Sequence, residues 1–337
     1  MIEDKGHMNS NLDNMNILVC GGAGYIGSHM IKLLAHQGYN VISFDNLSTG
    51  HSSSVRWGSF IEGDLLNKHD LETLFASHKI DLVMHFAAKS IVSESVQNPS
   101  LYYNNNVTGT INLLDVMRKY NVSKFIFSSS ASVYGLPETN RIDENHPTNP
   151  INSYGHSKLM VEQILKYYYQ AYGISSVSFR YFNAAGADTQ GEIGEMHDPE
   201  THLIPNILKS VLNPQIELKI FGNDYKTPDG SCIRDYVHVD DLCDAHLKGA
   251  NFLKENLGHH KFNLGNGRGF SVLDVINAVE KIIGKQIPYT MEKRREGDPG
   301  ILVADASKAN DILNWKAANN TIEDIVRTAW HWHSKNG

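Results

Sequence analysis

Tyr154 and Lys158 stand four residues apart in Tyr154-Gly155-His156-Ser157-Lys158, with Ser128-Ser129-Ser130 upstream of them. A phenol ordinarily ionises at about pH 10 and is a poor base at neutrality. On a helix, residues four apart share a face, which puts the Lys158 ammonium beside the Tyr154 ring. A fixed positive charge there favours phenolate and draws its pKa toward neutrality, as proton transfer at a hydroxyl requires. A tyrosine and a lysine at this spacing are more often two surface residues, so the rest of the chain must supply the context.

That context is a fold able to hold the pair beside a ligand. From Asn16 onward, short apolar runs alternate with helical periods. Ile17–Cys20 reads as a buried strand and Tyr25–Gln37 as a helix stopped by Gly38. Val41–Phe44, Ser59–Ile61, Asp81–His85, Lys124–Ser128 and Ser176–Arg180 are further strands, with helical stretches between them. Strands apolar on both faces and separated by helices predict an α/β fold with a doubly wound, Rossmann-like parallel sheet. After about residue 183 the loops lengthen and grow richer in glycine, proline and aspartate, as at 186–199 and 222–230. Helices at 202–212, 239–254, 271–283 and 320–334, with short strands near 218–221, 261–263 and 287–290, predict a smaller α/β substrate-binding lobe. The expected division is a polar tail at 1–14, a dinucleotide-binding domain at 15–182 and the lobe at 183–337, with part of 235–265 returning to the first sheet.

The turn after the first strand is Gly21-Gly22-Ala23-Gly24-Tyr25-Ile26-Gly27. Glycines at 21, 24 and 27 let the backbone turn tightly and approach a pyrophosphate at the helix N-terminus. A glycine run alone is often just a loop; here strand and helix flank it. Asp45 closes the second strand, where a carboxylate can accept from both ribose hydroxyls of NAD and would repel the 2′-phosphate of NADP. Asp64 follows the third strand and can meet an adenine edge, and Phe86-Ala87-Ala88 follow the fourth. Each is ordinary loop chemistry by itself, but together they fall at successive strand ends, where such sheets bind ligands.

Composition narrows the options. The 337 residues are 41% hydrophobic and 20% charged, with a net charge of -7, so no basic field invites nucleic acid or anionic membrane. Cys20, Cys232 and Cys243 are too few and too scattered for a disulfide framework or a cysteine zinc site, which favours a reducing cytoplasm. No apolar run approaches the roughly 20 residues of a membrane span, and residues 1–14 lack the apolar core of a signal peptide. His331-Trp332-His333 looks metal-like, but residues two apart on a helix point to opposite sides, so no metal site is expected. Tyr167-Tyr168-Tyr169 suggests core and interface packing.

Taken together, the motifs resemble the extended short-chain dehydrogenase/reductase family across residues 16–335. They include GGAGYIGSH (21–29), FDNLSTG (44–50), EGD (62–64), HFAA (85–88), NNVTGT (105–110), FSSSASVYG (127–135), SYGHSK (153–158), RYFNAAGA (180–187), FGNDY (221–225), RDYVHVDDL (234–242), FNLGNG (262–267) and RREGDP (294–299). By that resemblance Tyr154 is the base, Lys158 lowers its pKa and holds the nicotinamide ribose, and Ser130 hydrogen-bonds the reacting sugar hydroxyl. Tyr25, Ile26, Asn46, Leu65, Asn105, Ser128 and Tyr181 join the cofactor set. Asn183, His202 and Leu203 fall at the substrate, Arg234 and Arg295 at a UDP pyrophosphate, and Asp298 near the uridine ribose. Phe221 is either a packing residue or a platform for uracil.

The activity implied is interconversion of UDP-galactose and UDP-glucose through a 4-keto sugar with bound NAD, in a homodimer formed by the long helices near 100–119 and 155–172. Arginine forks suit diphosphate oxygens independently of any resemblance. A sugar 4,6-dehydratase would carry an acid and a base where this chain has Ser130-Ala131-Ser132. A UDP-glucuronate decarboxylase would have glutamate at Ser132. Leu302 stands where some members have a bulky tyrosine, so an N-acetylated UDP-hexose is an alternative substrate. A dehydrogenase releasing NADH and a non-catalytic NAD-binding protein remain the other classes.

Overall fold

In chain order the strands are β1 (Asn16–Cys20), β2 (Asn40–Asp45), β3 (Ser59–Glu62), β4 (Leu82–His85), β5 (Lys124–Ser130) and β6 (Ser175–Tyr181). Then come β7 (Asn183–Ala185), β8 (Lys219–Phe221), β9 (Ile233–His238), β10 (His259–Leu264), β11 (Gly269–Ser271), β12 (Thr290–Glu292) and β13 (Ile301–Leu302). The helices are α1 (Tyr25–His36), α2 (Lys68–Ser77), α3 (Val92–Gln97), α4 (Pro99–Tyr102), α5 (Gly109–Lys119) and α6 (Ser153–Tyr172). They continue as α7 (Leu203–Leu212), α8 (Val239–Phe252), α9 (Val272–Ile283), α10 (Ser307–Leu313) and α11 (Ile322–Asn336). This computed structural model describes residues 15–295 and 298–336; the polar tail expected at 1–14 lies outside them.

Seven strands form one parallel sheet in the order β10-β6-β5-β4-β1-β2-β3. The direction of strand addition reverses between β1 and β4, and such a switch point opens a crevice at the strand C-termini. Register brings those ends level: Cys20 lies opposite both Phe44 and His85, and Ser130 opposite Tyr181. One face of the sheet buries Ile17, Val19 and Met84 against α1 and α8; the other buries Leu18, Val83 and Phe127 against α2, α5 and α6. Central strands covered on both faces explain their unbroken apolar runs. Among the described residues β3 pairs with β2 alone and is largely exposed, as an edge strand.

Two expected boundaries shift. β5 extends through Ser130, so the serine run is the buried end of a strand rather than the loop after it. The strand expected at 287–290 forms instead at Thr290–Glu292, because Pro288 has no N–H for the ladder, while Ile287 serves as a buried anchor.

A second core gathers α7, α9 and α11 around Ile207, Val275 and Ile325. β9 pairs with β7, β11 and β13 in a separate small sheet, and β8 pairs with β12. Within 235–265, α8 and β10 lie with the large sheet, whereas β9 belongs to the small one. Among the described residues no helix is long and apolar enough to cross a membrane.

Candidate active site

The glycine turn is shaped by close backbone approach. Gly21 has φ +81°, and a Cβ there would meet the Ala87 nitrogen at 2.4 Å. Its N–H donates to Phe44 O at 2.9 Å, while the Phe86 and Ala87 N–H groups both donate to Cys20 O, at 2.8 and 3.0 Å. The ends of β1, β2 and β4 are thereby fastened together around a residue that has to be glycine. A Cβ on Gly27 would strike Gly21 O at 2.1 Å; on Gly24 it would find only Gly21 O at 3.4 Å, because Gly24 faces the open crevice. α1 starts there and directs its free N–H groups at the same crevice.

Asp45, last in β2, accepts from Ala23 N at 3.0 Å and Leu47 N at 2.8 Å, and burial pushes its carboxyl up. The carboxylate has lone pairs to spare for a ribose. Asn46 donates to Asp64 at 2.9 Å, which closes the far end of the crevice.

At the other end, Asn152 caps α6 by accepting from Gly155 N at 2.8 Å, and Tyr154 and Lys158 follow on one helix face. Lys158 Nζ donates to Ser128 O at 2.7 Å and lies 4.9 Å from the Phe127 ring centroid and 5.9 Å from that of Tyr154. Burial pushes the ammonium down to about 7. Burial also pushes Tyr154 up, opposed by a hydrogen bond from Ser130. The sequence expectation of a phenol lowered by Lys158 is therefore corrected for the chain on its own. Desolvation disfavours charge on both groups.

Behind the pair lies a buried polar network that the motifs do not announce. Ser129 Oγ donates to Glu162 at 2.6 Å, and Arg180 Nε and Nη2 reach the same carboxylate at 2.9 and 2.5 Å. Arg180 Nη1 donates to the Tyr134 hydroxyl at 3.0 Å, which donates to Asn263 at 2.6 Å. This ties β5, α6, β6 and β10 together. Its signal in the sequence is an arginine inside a buried strand, with Glu162 one helical turn beyond Lys158. Asn106 is a second residue that spacing does not single out; its side chain bonds Lys89 N, Lys89 O and Ser157 Oγ, fixing the loop after β4 to α6.

A cavity of about 370 Å³ joins these parts. Gly21, Gly24, Tyr25, Ile26, Gly27, Asp45, Asn46, Asp64, Leu65, Phe86, Ala87, Ala88, Asn105, Ser128, Tyr154, Lys158 and Tyr181 all line it. The Ser128 and Tyr181 hydroxyls hydrogen-bond each other. A second cavity, also about 370 Å³, is lined by Asn183, His202, Leu203, Phe221, Arg234, Arg295 and Asp298. His202 and Ala184 line both. Arg234 pairs with Asp298, and Arg295 stacks on Phe221 at 4.2 Å from the ring centroid. Ser130 lines neither cavity and sits behind Tyr154, also accepting from Ser132 N at 3.2 Å. Leu302 lines neither; it packs against the small cluster of Ala131, Val133, Tyr134 and Ile142. In the carboxy-terminal helix Trp332 and His333 are buried, and Lys335 reaches His331 at 2.9 Å.

The first cavity fits a dinucleotide. Its glycine cradle has no room for side chains at Gly21 and Gly27, and among the described residues the buried Lys158 ammonium has one hydrogen-bond partner, leaving N–H groups for a ribose. A doubly wound sheet with such a turn and a Tyr–Lys pair across its switch point defines an enzyme that uses a nicotinamide dinucleotide. The NAD dependent epimerase/dehydratase family matches residues 17–265, and the chain belongs to that family. It is 48% identical to a UDP-glucose 4-epimerase of Halalkalibacterium halodurans, over 95% of this chain and 96% of that one. The structure of UDP-glucose 4-epimerase from Brucella ovis in complex with NAD superposes with a TM-score of 0.92 at 47% identity, covering 95% of this chain and 98% of that one. The enzyme from Bifidobacterium longum in complex with NAD+ and UDP gives 0.91 at 41% identity, covering 96% and 99%.

Proposed function

We propose that this chain is an isomerase that interconverts UDP-galactose and UDP-glucose at C4, with NAD in the first cavity and the UDP-sugar in the second. The observation that carries the reading is the meeting of two cavities of equal size, one with the Tyr154–Lys158 pair and the other with Arg234 and Arg295. Bound NAD would supply the hydride acceptor and donor for C4 and a positive charge at its oxidised ring.

Tyr154 takes the proton from the sugar 4-hydroxyl, and Ser130, hydrogen-bonded to that phenol, steers it. Burial of Tyr154 makes the phenolate costly in the chain alone, and Ser130 and Lys158 are the groups placed to offset that cost. Lys158 holds the nicotinamide ribose, and Asp45 the ribose at the adenine end. Arg234 and Arg295 hold the diphosphate, with Asp298 keeping Arg234 in place. Asn183 and Leu203 wall the sugar side. Residues 15–182 with β10 form the cofactor-binding domain, and most of 183–337 forms the lobe.

The protein acts as a homodimer through α5 and α6, where Tyr167 and Tyr172 leave large rings exposed. It works in the cytoplasm, which suits three buried, unpaired cysteines. Ser130-Ala131-Ser132 offers no acid for dehydration. The test is incubation of purified protein with UDP-galactose and no added NAD, with the nucleotide sugars separated by chromatography. UDP-glucose should appear to equilibrium; a dehydrated sugar, or no product even with NAD supplied, refutes the proposal.

A further inference from the structure

Between β7 and α7 the chain gathers Glu195, His197, Glu200 and His202 at the seam of the two cavities. Each offers one ligand atom, and these atoms all lie within 4.8 Å of one another. His197 Nδ1 and His202 Nδ1 both point at Glu195 Oε1, at 3.0 and 2.7 Å. Glu200 Oε1 lies 3.3 Å from His202 Nδ1 and 4.0 Å from His197 Nδ1. Nitrogen and oxygen ligands about 2.0–2.1 Å from a tetrahedral ion stand about 3.3 Å apart, close to this spacing.

The charge balance points the same way. The Glu195 and Glu200 side chains are only 4% and 3% exposed, so two carboxylates are buried side by side. Buried charges require compensation. A second observation is independent of the hydrogen bonds within the cluster. Among the described residues Glu200 Oε2 is buried with no hydrogen-bond partner, and Lys209 Nζ is 4.0 Å away. One buried carboxylate oxygen is thus left for an incoming cation.

We propose that Glu195, His197, Glu200 and His202 bind one divalent cation of the zinc class. Two imidazoles with two carboxylates suit zinc and its neighbours in preference to magnesium or calcium, which favour all-oxygen shells. Ion entry is through His202, whose ring is 46% exposed and lines both cavities. The bound ion pins the 195–202 segment, which sets the position of His202 and Leu203 against the substrate. It performs no step of the epimerisation.

The test uses the full chain, stripped with a chelator, reloaded with zinc chloride alone and passed through gel filtration, with retained metal counted by mass spectrometry. Cobalt(II) loading provides a second readout through its visible absorption. One ion per chain and an intense four-coordinate cobalt band are expected. His197→Ala and Glu200→Gln, each checked for a native circular dichroism spectrum, should weaken retention by more than about 100-fold. His69→Ala, on exposed α2, should retain the ion. Wild type that retains no zinc, or His197→Ala that retains it as wild type does, overturns the proposal and leaves the four side chains as a hydrogen-bonded cluster.

Discussion

The two cavities have the same volume and opposite construction. The cofactor side stands on the ends of a parallel sheet, where backbone contacts among β1, β2 and β4 fix its shape and the buried Arg180–Glu162 pair stiffens its far wall. The substrate side is assembled from the short strands β7, β8 and β9, the first turn of α7 and loops, and its arginines are held by one aspartate and one aromatic ring. A site that must present the same cofactor to every substrate gains from rigidity. One that must release its ligand, and let a sugar present either face, gains from looser, charged contacts. In the proposed function the contrast separates the chemistry, placed in one half, from recognition, placed in the other.

The largest expected effect is at the chemical end. Tyr154→Phe should lower kcat by about 10²–10⁴-fold, with NAD content unchanged in the purified protein. Loss of bound NAD with intact turnover would reverse the roles given to the two halves. Next is rigidity: Arg180→Met leaves Glu162 buried without its counter-charge and should cost about 3–5 kcal/mol in thermal or urea denaturation. If that variant is as stable as wild type, the network is not what stiffens the cofactor wall.

On the recognition side, Arg295→Ala should raise KM by about 10–100-fold, corresponding to loss of a charge-assisted contact of about 1.5–3 kcal/mol, while kcat changes little. A fall in kcat alone would place Arg295 in the chemistry. A smaller effect concerns pH. Burial lowers Lys158 from 10.5 to about 7 in the folded chain, so between these values the unfolded chain binds the proton more strongly. Stability from this group therefore rises with pH across that window. In NAD-free protein, the melting advantage of Lys158→Met over wild type should shrink from pH 7 to about pH 10. An advantage independent of pH would mean that the amine does not titrate there.

Leu302→Tyr is expected to have the smallest effect, since Leu302 lies behind the cavities rather than on them. It should slow the N-acetylated UDP-hexose pair more than the UDP-glucose pair; equal loss on both removes Leu302 from substrate choice.

The same contrast explains which parts of the site are legible in the sequence. Cofactor residues fall in short windows, because a strand end, a turn and a helix start are neighbours in chain as well as space. The roles proposed for Gly21, Gly24, Gly27 and Asp45 therefore rest on local spacing alone. The arginines of the other half come from segments some sixty residues apart, 234 and 295, and local spacing says nothing of their meeting. The Arg180–Glu162–Ser129 network is hidden for a different reason. Its members sit in ordinary strand and helix patterns, and only packing shows that they share one buried charge balance. The electrostatics of Tyr154 also depend on packing, since spacing gives a neighbour's charge but not the desolvation that opposes it.

The central claim is that the hydride leaves C4 and comes back to the same sugar. UDP-galactose deuterated at C4 and incubated with the enzyme should give UDP-glucose that retains the deuterium at C4, with no steady growth of reduced-nicotinamide absorbance. Deuterium lost to solvent, or passed to dinucleotide free in solution, would contradict the account.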